Sequence, residues 1–446
     1  MRDLTKGPIA GHVLQLSSFI ALSMIFQTLY FLVDLYFVGR LGKEAIAGVG
    51  LAGNLTMIVL ALTQALGVGA TSLIAQAMGR KDAARAERVF NQAFVLSLCV
   101  GVAFGVIGLA VRSAYANTLA ADSATADQSV RYLDWYVPAM ALQFALVAMG
   151  AALRGIGDVK VPTVIQVGTV LVNIALAPVL ILGWGPGQGL GVRGAALATF
   201  AAVAAGLVAF VIYFRRPASP LRFRVSMWQP DLGLWKEILR IGVPAGGEFV
   251  LMAMYAVLVY AIIRPFGAAA QAGFGVGIRL MQSMFLPAVA IGFATAPVAG
   301  QNFGAGLGTR VRHTFLAAAG LSAVVMLTMT ALSHIAPAAM IAAFNDDPGV
   351  ILFGAEYLRI ISWIFLASGV IFVSSSMFQG LGNTLPPLAS SAMRLVTFAV
   401  PAIWLSSQPG FEMRHVWYLS VASVFVHLTL NLVLLQREFR RKLTVG

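Results

Sequence analysis

Charge is what this sequence lacks. Of its 446 residues only 11% are Asp, Glu, Lys or Arg, against 59% that are hydrophobic. A water-facing chain of this length needs far more charge to cover its surface, so a soluble globular fold is excluded. Acids are scarcest, 17 against 30 Lys and Arg, leaving a net charge of +13. The single cysteine, Cys99, permits no intramolecular disulfide and, standing in an apolar run, reads as a small buried hydrophobe. Histidines fall at 12, 313, 334, 415 and 427, without metal-ligand spacing, and there is no H-E-x-x-H. No G-x-x-x-x-G-K-[ST] phosphate loop occurs, so this chain does not hydrolyse ATP. Gly189 to Gly194 match G-x-G-x-x-G, but they follow an apolar run rather than a strand and read as a tight loop. These absences leave no enzyme chemistry, no cofactor and no metal site to argue for.

What is present is hydrophobic length. Apolar runs of about 20 residues recur, each long enough to cross a ~30 Å hydrocarbon core. They are continuous rather than alternating, which selects helices over a barrel. The expectation is an all-α integral membrane protein. Its twelve spans lie near 12–37, 45–76, 88–112, 131–153, 161–183, 193–214, 238–262, 270–300, 313–335, 357–379, 387–408 and 415–436. The first is read as retained rather than as a cleaved signal, because its apolar stretch runs past Phe37 with no small-residue cleavage site. The second and eighth carry several glycines and are expected to tilt or bend.

The chain also repeats. At an offset of 225, Gly42, Gly48, Gly67, Gln76 and Gly79 meet Gly267, Gly273, Gly292, Gln301 and Gly304; Tyr132 meets Tyr357, and Gly155-x-Gly157 meets Gly380-x-Gly382. Six spans per half make the two halves enter the membrane alike, a parallel repeat with a pseudo-two-fold axis along the membrane normal. The expected lobes are 1–218 and 219–446, joined by the basic loop of about 215–236. Twenty of the thirty Lys and Arg fall on one set of connections with both termini, eight on the other, and Arg279 and Arg394 within spans. The basic side is cytoplasmic by the positive-inside rule. The charge excess thus reads as topology and contact with anionic membrane lipid, not as nucleic-acid binding.

Polar groups inside the spans are the candidate functional residues. A carboxylate at Asp34 costs roughly 2.5–3.5 kcal/mol on insertion scales, so such acids mark ion and proton paths. Ser23, Gln27, Tyr30 and Asp34 recur at helical spacing and form one polar stripe. The second-half counterpart reads Glu248, Met252, Tyr255 and Val259, with the acid moved by eleven residues, about 16 Å along a helix. Glu248 is read either as a substrate contact or as a brace near Pro244. Asn173 and Gln143 either bond to Asp34 or join helices. Arg279 and Arg394 are read as structural, bonded to carbonyls or a carboxylate. Most of the 17 methionines are packing, though a Met-rich lining also suits varied flat ligands.

These residues resemble a known family. Asp34 followed by Phe37-Val38-Gly39-Arg40-Leu41-Gly42, then Ala75-Gln76-Ala77-Met78-Gly79, is similar to the first-half pattern of MATE (multidrug and toxic compound extrusion) transporters. Gly300-Gln301-Asn302-Phe303-Gly304-Ala305-Gly306 resembles the second-half counterpart, and Arg154-Gly155-Ile156-Gly157-Asp158 also fits. The resemblance covers essentially the whole chain. It implies cation-coupled efflux of small organic, often cationic, compounds across the bacterial cytoplasmic membrane by a monomer of two six-helix lobes. Asp34 would be the coupling residue, with Tyr30 and Asn173 around it. Gln27, Gln143, Glu248, Met252 and Tyr255 are the candidate substrate contacts. Several relatives have a second acid where this chain has Ala177, and others one in the tenth span, where this chain has Ser368 and Ser374 to Ser376. Sodium prefers several hard oxygen ligands, so the reading leans to protons over sodium ions. The alternatives are a flippase for lipid-linked saccharides, which wants a basic cavity, and a channel, which wants rings of polar groups.

Overall fold

Without water in the hydrocarbon to satisfy backbone groups, each apolar run closes its hydrogen bonds internally. A computed structural model describes residues 3–184, 188–217 and 219–443, and among them all regular structure is helical. In the first half run α1 (Ile9–Gly39), α2 (Lys43–Gly79), α3 (Ala83–Leu119), α4 (Ser123–Gly155), α5 (Lys160–Leu182) and α6 (Val192–Arg215). In the second run α7 (Leu232–Ile263), α8 (Ala268–Gly304), α9 (Gly308–Ile335), the short α10 (Pro337–Ala342), α11 (Pro348–Ile361), α12 (Phe365–Gly380), α13 (Leu385–Ser406) and α14 (Met413–Lys442). A 3-10 turn, Ser362–Ile364, joins α11 to α12 into one span. Among the described residues, twelve spans are long and apolar enough to cross a membrane, at the places the sequence indicates.

The duplication extends to element ends and to backbone geometry. Helix α2 at Lys43–Gly79 becomes α8 at Ala268–Gly304, both 225 residues on. Gly42 and Gly267 precede them at φ 107 and 90. The close approaches repeat too: a Cβ on Gly48 would stand 2.9 Å from Ser129 N, and one on Gly273 would stand 2.9 Å from Gly354 N. Small residues at these crossings let helix backbones meet, which drives packing where no hydrophobic effect operates between helices.

By packing the chain divides into two compact units. One comprises residues 1–3 and 19–246, the other 4–18 and 247–446. The divide falls inside α1 and α7, not in the loop of 215–236. Within unit one the first half of α7 lies on α2 so tightly that a Cβ on Gly242 would sit 1.6 Å from the Ala65 carbonyl oxygen. The loop before α7 is strapped to α3 by two buried amides. Asn91 bonds Arg222 O, Arg224 N and Trp228 Nε1, and Gln92 bonds Met227 O, Gln229 O, Asp231 N and Trp235 Nε1. Within unit two, Gln301 accepts from Leu4 N at 3.0 Å, Asn302 donates to Leu4 O at 3.2 Å, and Arg310 donates to Gly7 O. The motif around Gln301 therefore clamps the N-terminal segment.

One expectation needs adjusting. Cys99 is exposed on α3 rather than buried, because a membrane-length helix turns apolar residues outward as readily as inward. Helices α2 and α8 each run through their glycines as one 37-residue helix. The tenth span is the one that is interrupted, at the 3-10 turn. The Gly189–Gly194 segment does form a tight loop, with Leu190 N bonded to Leu180 O at 2.8 Å and Gly191 at φ 60. Part of the preceding connection, 185–187, lies outside the described residues.

Candidate functional site

The polar stripe of α1 is only partly interior. Asp34 is buried at 9% exposure, and its Oδ1 has no hydrogen-bond partner. Tyr30, one turn earlier, shares a 2.7 Å hydrogen bond with the Thr199 hydroxyl of α6. Ser23 donates to Thr163 of α5 at 3.0 Å. Gln27 is exposed.

Around Asp34 the apolar packing fixes a level. Val38, Ala177 and Ala195 belong to one buried cluster with Tyr132 and Tyr136. One helical turn from those three, on the same faces, stand Asp34, Asn173 and Thr199. Spans one and five run the same way and span six runs opposite, so the three polar groups fall at a common depth. Asn173 is fully buried, and neither its Nδ2 nor its Oδ1 has a partner. The phenols of Tyr30, Tyr132 and Tyr136 all lie close enough to the Asp34 carboxyl to feel its charge. Tyr136 also shares a hydrogen bond with Thr56 of α2. The result is one carboxyl group near three phenols, with Asn173 and Thr199 at its depth and no cationic side chain paired to it among the described residues. Buried orphaned polar atoms are costly and call for an explanation. Here Asp34 and Asn173 present theirs at one depth.

Unit two arranges its polar groups differently. Tyr255 again bonds a hydroxyl of the last span, Ser420, at 2.6 Å. Glu248 neighbours Ser375, yet neither Glu248 Oε1 nor Ser375 Oγ has a hydrogen-bond partner. Asn431 links Ser374 of α12 to Ser390 of α13, the latter at 3.1 Å. Met252 is 55% exposed. Gln143 is half-buried on α4. Of the five candidate substrate residues, Gln27 and Gln143 belong to unit one, and Glu248, Met252 and Tyr255 to unit two.

A profile of the MatE family matches this chain twice, at residues 20–179 and 244–405. The chain belongs to the MATE family. The two matched stretches are the two copies of the internal repeat, and together they cover well over half the sequence. The chain is similar to the probable multidrug resistance protein YoeA of Bacillus subtilis, with 28% identity over 92% of this chain and 89% of that one. It is also similar to the multidrug export protein MepA of Staphylococcus haemolyticus, with 25% identity over 94% of this chain and 92% of that one. An outward-facing multidrug resistance MATE transporter of solved structure matches with a TM-score of 0.92, covering 99% of this chain and 98% of that one. At 23% identity this last likeness is one of fold.

Sequence reasoning missed several neighbours of Asp34. Tyr132 was legible only as a position of the internal repeat and Tyr136 not at all, and nothing along the chain tied either to Asp34. Thr199 is the only Ser or Thr of α6, but nothing along the chain set it opposite Tyr30. His427 on α14, whose Nδ1 has no hydrogen-bond partner, was passed over as a scattered histidine.

Proposed function

We propose that this chain is a proton-coupled antiporter that exports small organic, often cationic, compounds across the bacterial cytoplasmic membrane by alternating access of two six-helix lobes, 1–218 and 219–446. The observation that carries the reading is Asp34, a buried acid with an orphaned oxygen in a MATE chain. The multidrug names of the relatives support the substrate class. Both termini would lie in the cytoplasm, lipids would surround a monomer, and an ion gradient would drive the cycle without a cofactor.

Asp34 acts as the carrier and Tyr30 and Asn173 as its positioning residues. The neutral acid fits an apolar surround, whereas the carboxylate needs the phenols and amide to turn donors toward it. Proton uptake from outside thus selects between two packings of the α1, α4, α5 and α6 neighbourhood, a two-state element biased by one charge. Protons are favoured over sodium because Ala177 removes the second carboxylate that a hard cation would use. Gln27, Gln143, Glu248, Met252 and Tyr255 are the proposed substrate contacts.

The test is uptake of a fluorescent organic cation into vesicles bearing wild type or Asp34→Asn, with pH and sodium gradients imposed separately. The expected result is uptake with the pH gradient alone, absent in Asp34→Asn at matched expression. Uptake driven by sodium alone, or undiminished in the mutant, refutes the assignment.

A further inference from the structure

Unit two holds a guanidinium that makes no ion pair with an acid of that unit among the described residues. Arg394 stands in the middle of α13, a membrane-length helix. Its Cζ lies 4.7 Å from the centroid of the Tyr255 ring, and its Nε is buried without a hydrogen-bond partner. The expected carbonyl or carboxylate partner is not there. The acids of unit two are engaged or placed elsewhere. Asp347 caps α11, Glu412 pairs with Arg414, and Glu438 pairs with Arg441 and Lys442. Glu356 lies in the field of Arg414, and Asp346 is exposed in the loop before α11. Glu248 is on α7, two turns before Tyr255, beside Ser375.

What surrounds Arg394 is a set of rings and donors. His427 of α14 is 5% exposed, with Nε2 3.5 Å from Ser391 Oγ and Nδ1 unpartnered. Both His427 and Tyr357 feel the Arg394 charge. A guanidinium stacked on a tyrosine keeps its edge free, and that edge is a planar fork matched to carboxylate or phosphate. Leaving it unmatched inside a membrane is expensive, so such residues mark ligand sites. The duplication isolates the feature. The positions corresponding to Arg394 and His427 in the first half are Thr169 and Ala202, so the pair arose in one repeat only.

We propose that Arg394, with Tyr255 and His427, receives an anionic group, a carboxylate or phosphate, carried by the transported compound, so that the substrates include zwitterions. The proposal rests on the exporter reading and narrows its substrate class. Tyr255 supplies an aromatic face, His427 a second donor, and the guanidinium the charge.

The experiment uses the full chain in nanodiscs of phosphatidylcholine alone. Wild type and Arg394→Gln are titrated with a rhodamine methyl ester, which is a cation, and with its free acid, a zwitterion. Loss of a charge-assisted pair is expected to weaken free-acid binding roughly 10-fold, with ester affinity held within about two-fold. Arg394→Lys keeps part of the preference. Equal weakening of both dyes, or of neither, overturns the proposal. If Arg394→Gln is not monodisperse, His427→Gln carries the same comparison, with selective weakening of about three-fold expected and an unselective or absent effect refuting it. In discs containing phosphatidylglycerol the free acid should bind as before. If that lipid displaces it from wild type but not from the Arg394 variants, the occupant is a headgroup and the substrate assignment falls. Ester uptake driven by a pH gradient is measured on the same preparations. Uptake without any Arg394 effect on free-acid binding refutes only the anion site, whereas no uptake by wild type refutes the exporter reading.

Discussion

At the scale of single residues, the two intramembrane acids make different predictions. Asp34 has phenols near it and no paired cation among the described residues, so Asp34→Asn removes the one carboxyl of that neighbourhood. Asp34→Asn keeps the shape and is expected to preserve folding while abolishing gradient-driven efflux. Melting temperature and vesicle uptake on one preparation check both halves of the statement. Glu248 sits in the other unit beside Ser375, and Glu248→Gln is expected to raise the KM for some substrates several-fold while others are still pumped. Equal loss across all substrates would instead make Glu248 part of the coupling step. Asn173 was legible from the sequence as a polar group in an apolar span. Its two orphaned amide atoms at the depth of Asp34 were not, because depth comes from which helices share a cluster.

At the scale of elements, glycine placement decides how closely helices meet. A Cβ on Gly69 would stand 2.2 Å from Ile238 O, and one on Gly246 would stand 2.5 Å from Ala61 O. With Gly242 these residues let α7 lie backbone against backbone on α2. Gly242→Leu is therefore expected to destabilise by about 1–3 kcal/mol or more, read as a lowered melting temperature. Gly53 on the same α2 has nothing within 4 Å of its virtual Cβ, so Gly53→Ala should be neutral or slightly stabilising. Similar losses at both sites would contradict the close-approach argument. Helix positions were largely readable, since hydrophobic length fixes them. The 3-10 turn inside the tenth span was not, because Ser362-Trp363-Ile364 carries neither glycine nor proline.

At the scale of the whole molecule, topology is the testable quantity. The concentration of Lys and Arg on one set of connections predicts cytoplasmic termini and a cytoplasmic loop before α7. Single cysteines introduced at Lys81 and Glu44, in a Cys99→Ser background, should react with a membrane-impermeant maleimide from opposite sides of intact cells. Labelling of both from the same side would break the topology. Cys99 itself is exposed on a membrane-length helix and should be protected from such a reagent by lipid.

The sequence by itself determined the membrane as solvent, the twelve helices, the internal duplication and the acid at Asp34. Each of these is written in composition or periodicity, and the hydrocarbon core enforces them without reference to packing. Tertiary structure decided the rest. It assigned the start of α1 to one compact unit and the remainder to the other, and likewise divided α7, because backbone contacts at glycines outweigh chain order. It set Asn173, Thr199 and three tyrosines around Asp34, since helices far apart in sequence share one apolar cluster. It also left Arg394 stacked on Tyr255 with no counter-charge from the described acids of unit two, which only the positions of those acids could reveal.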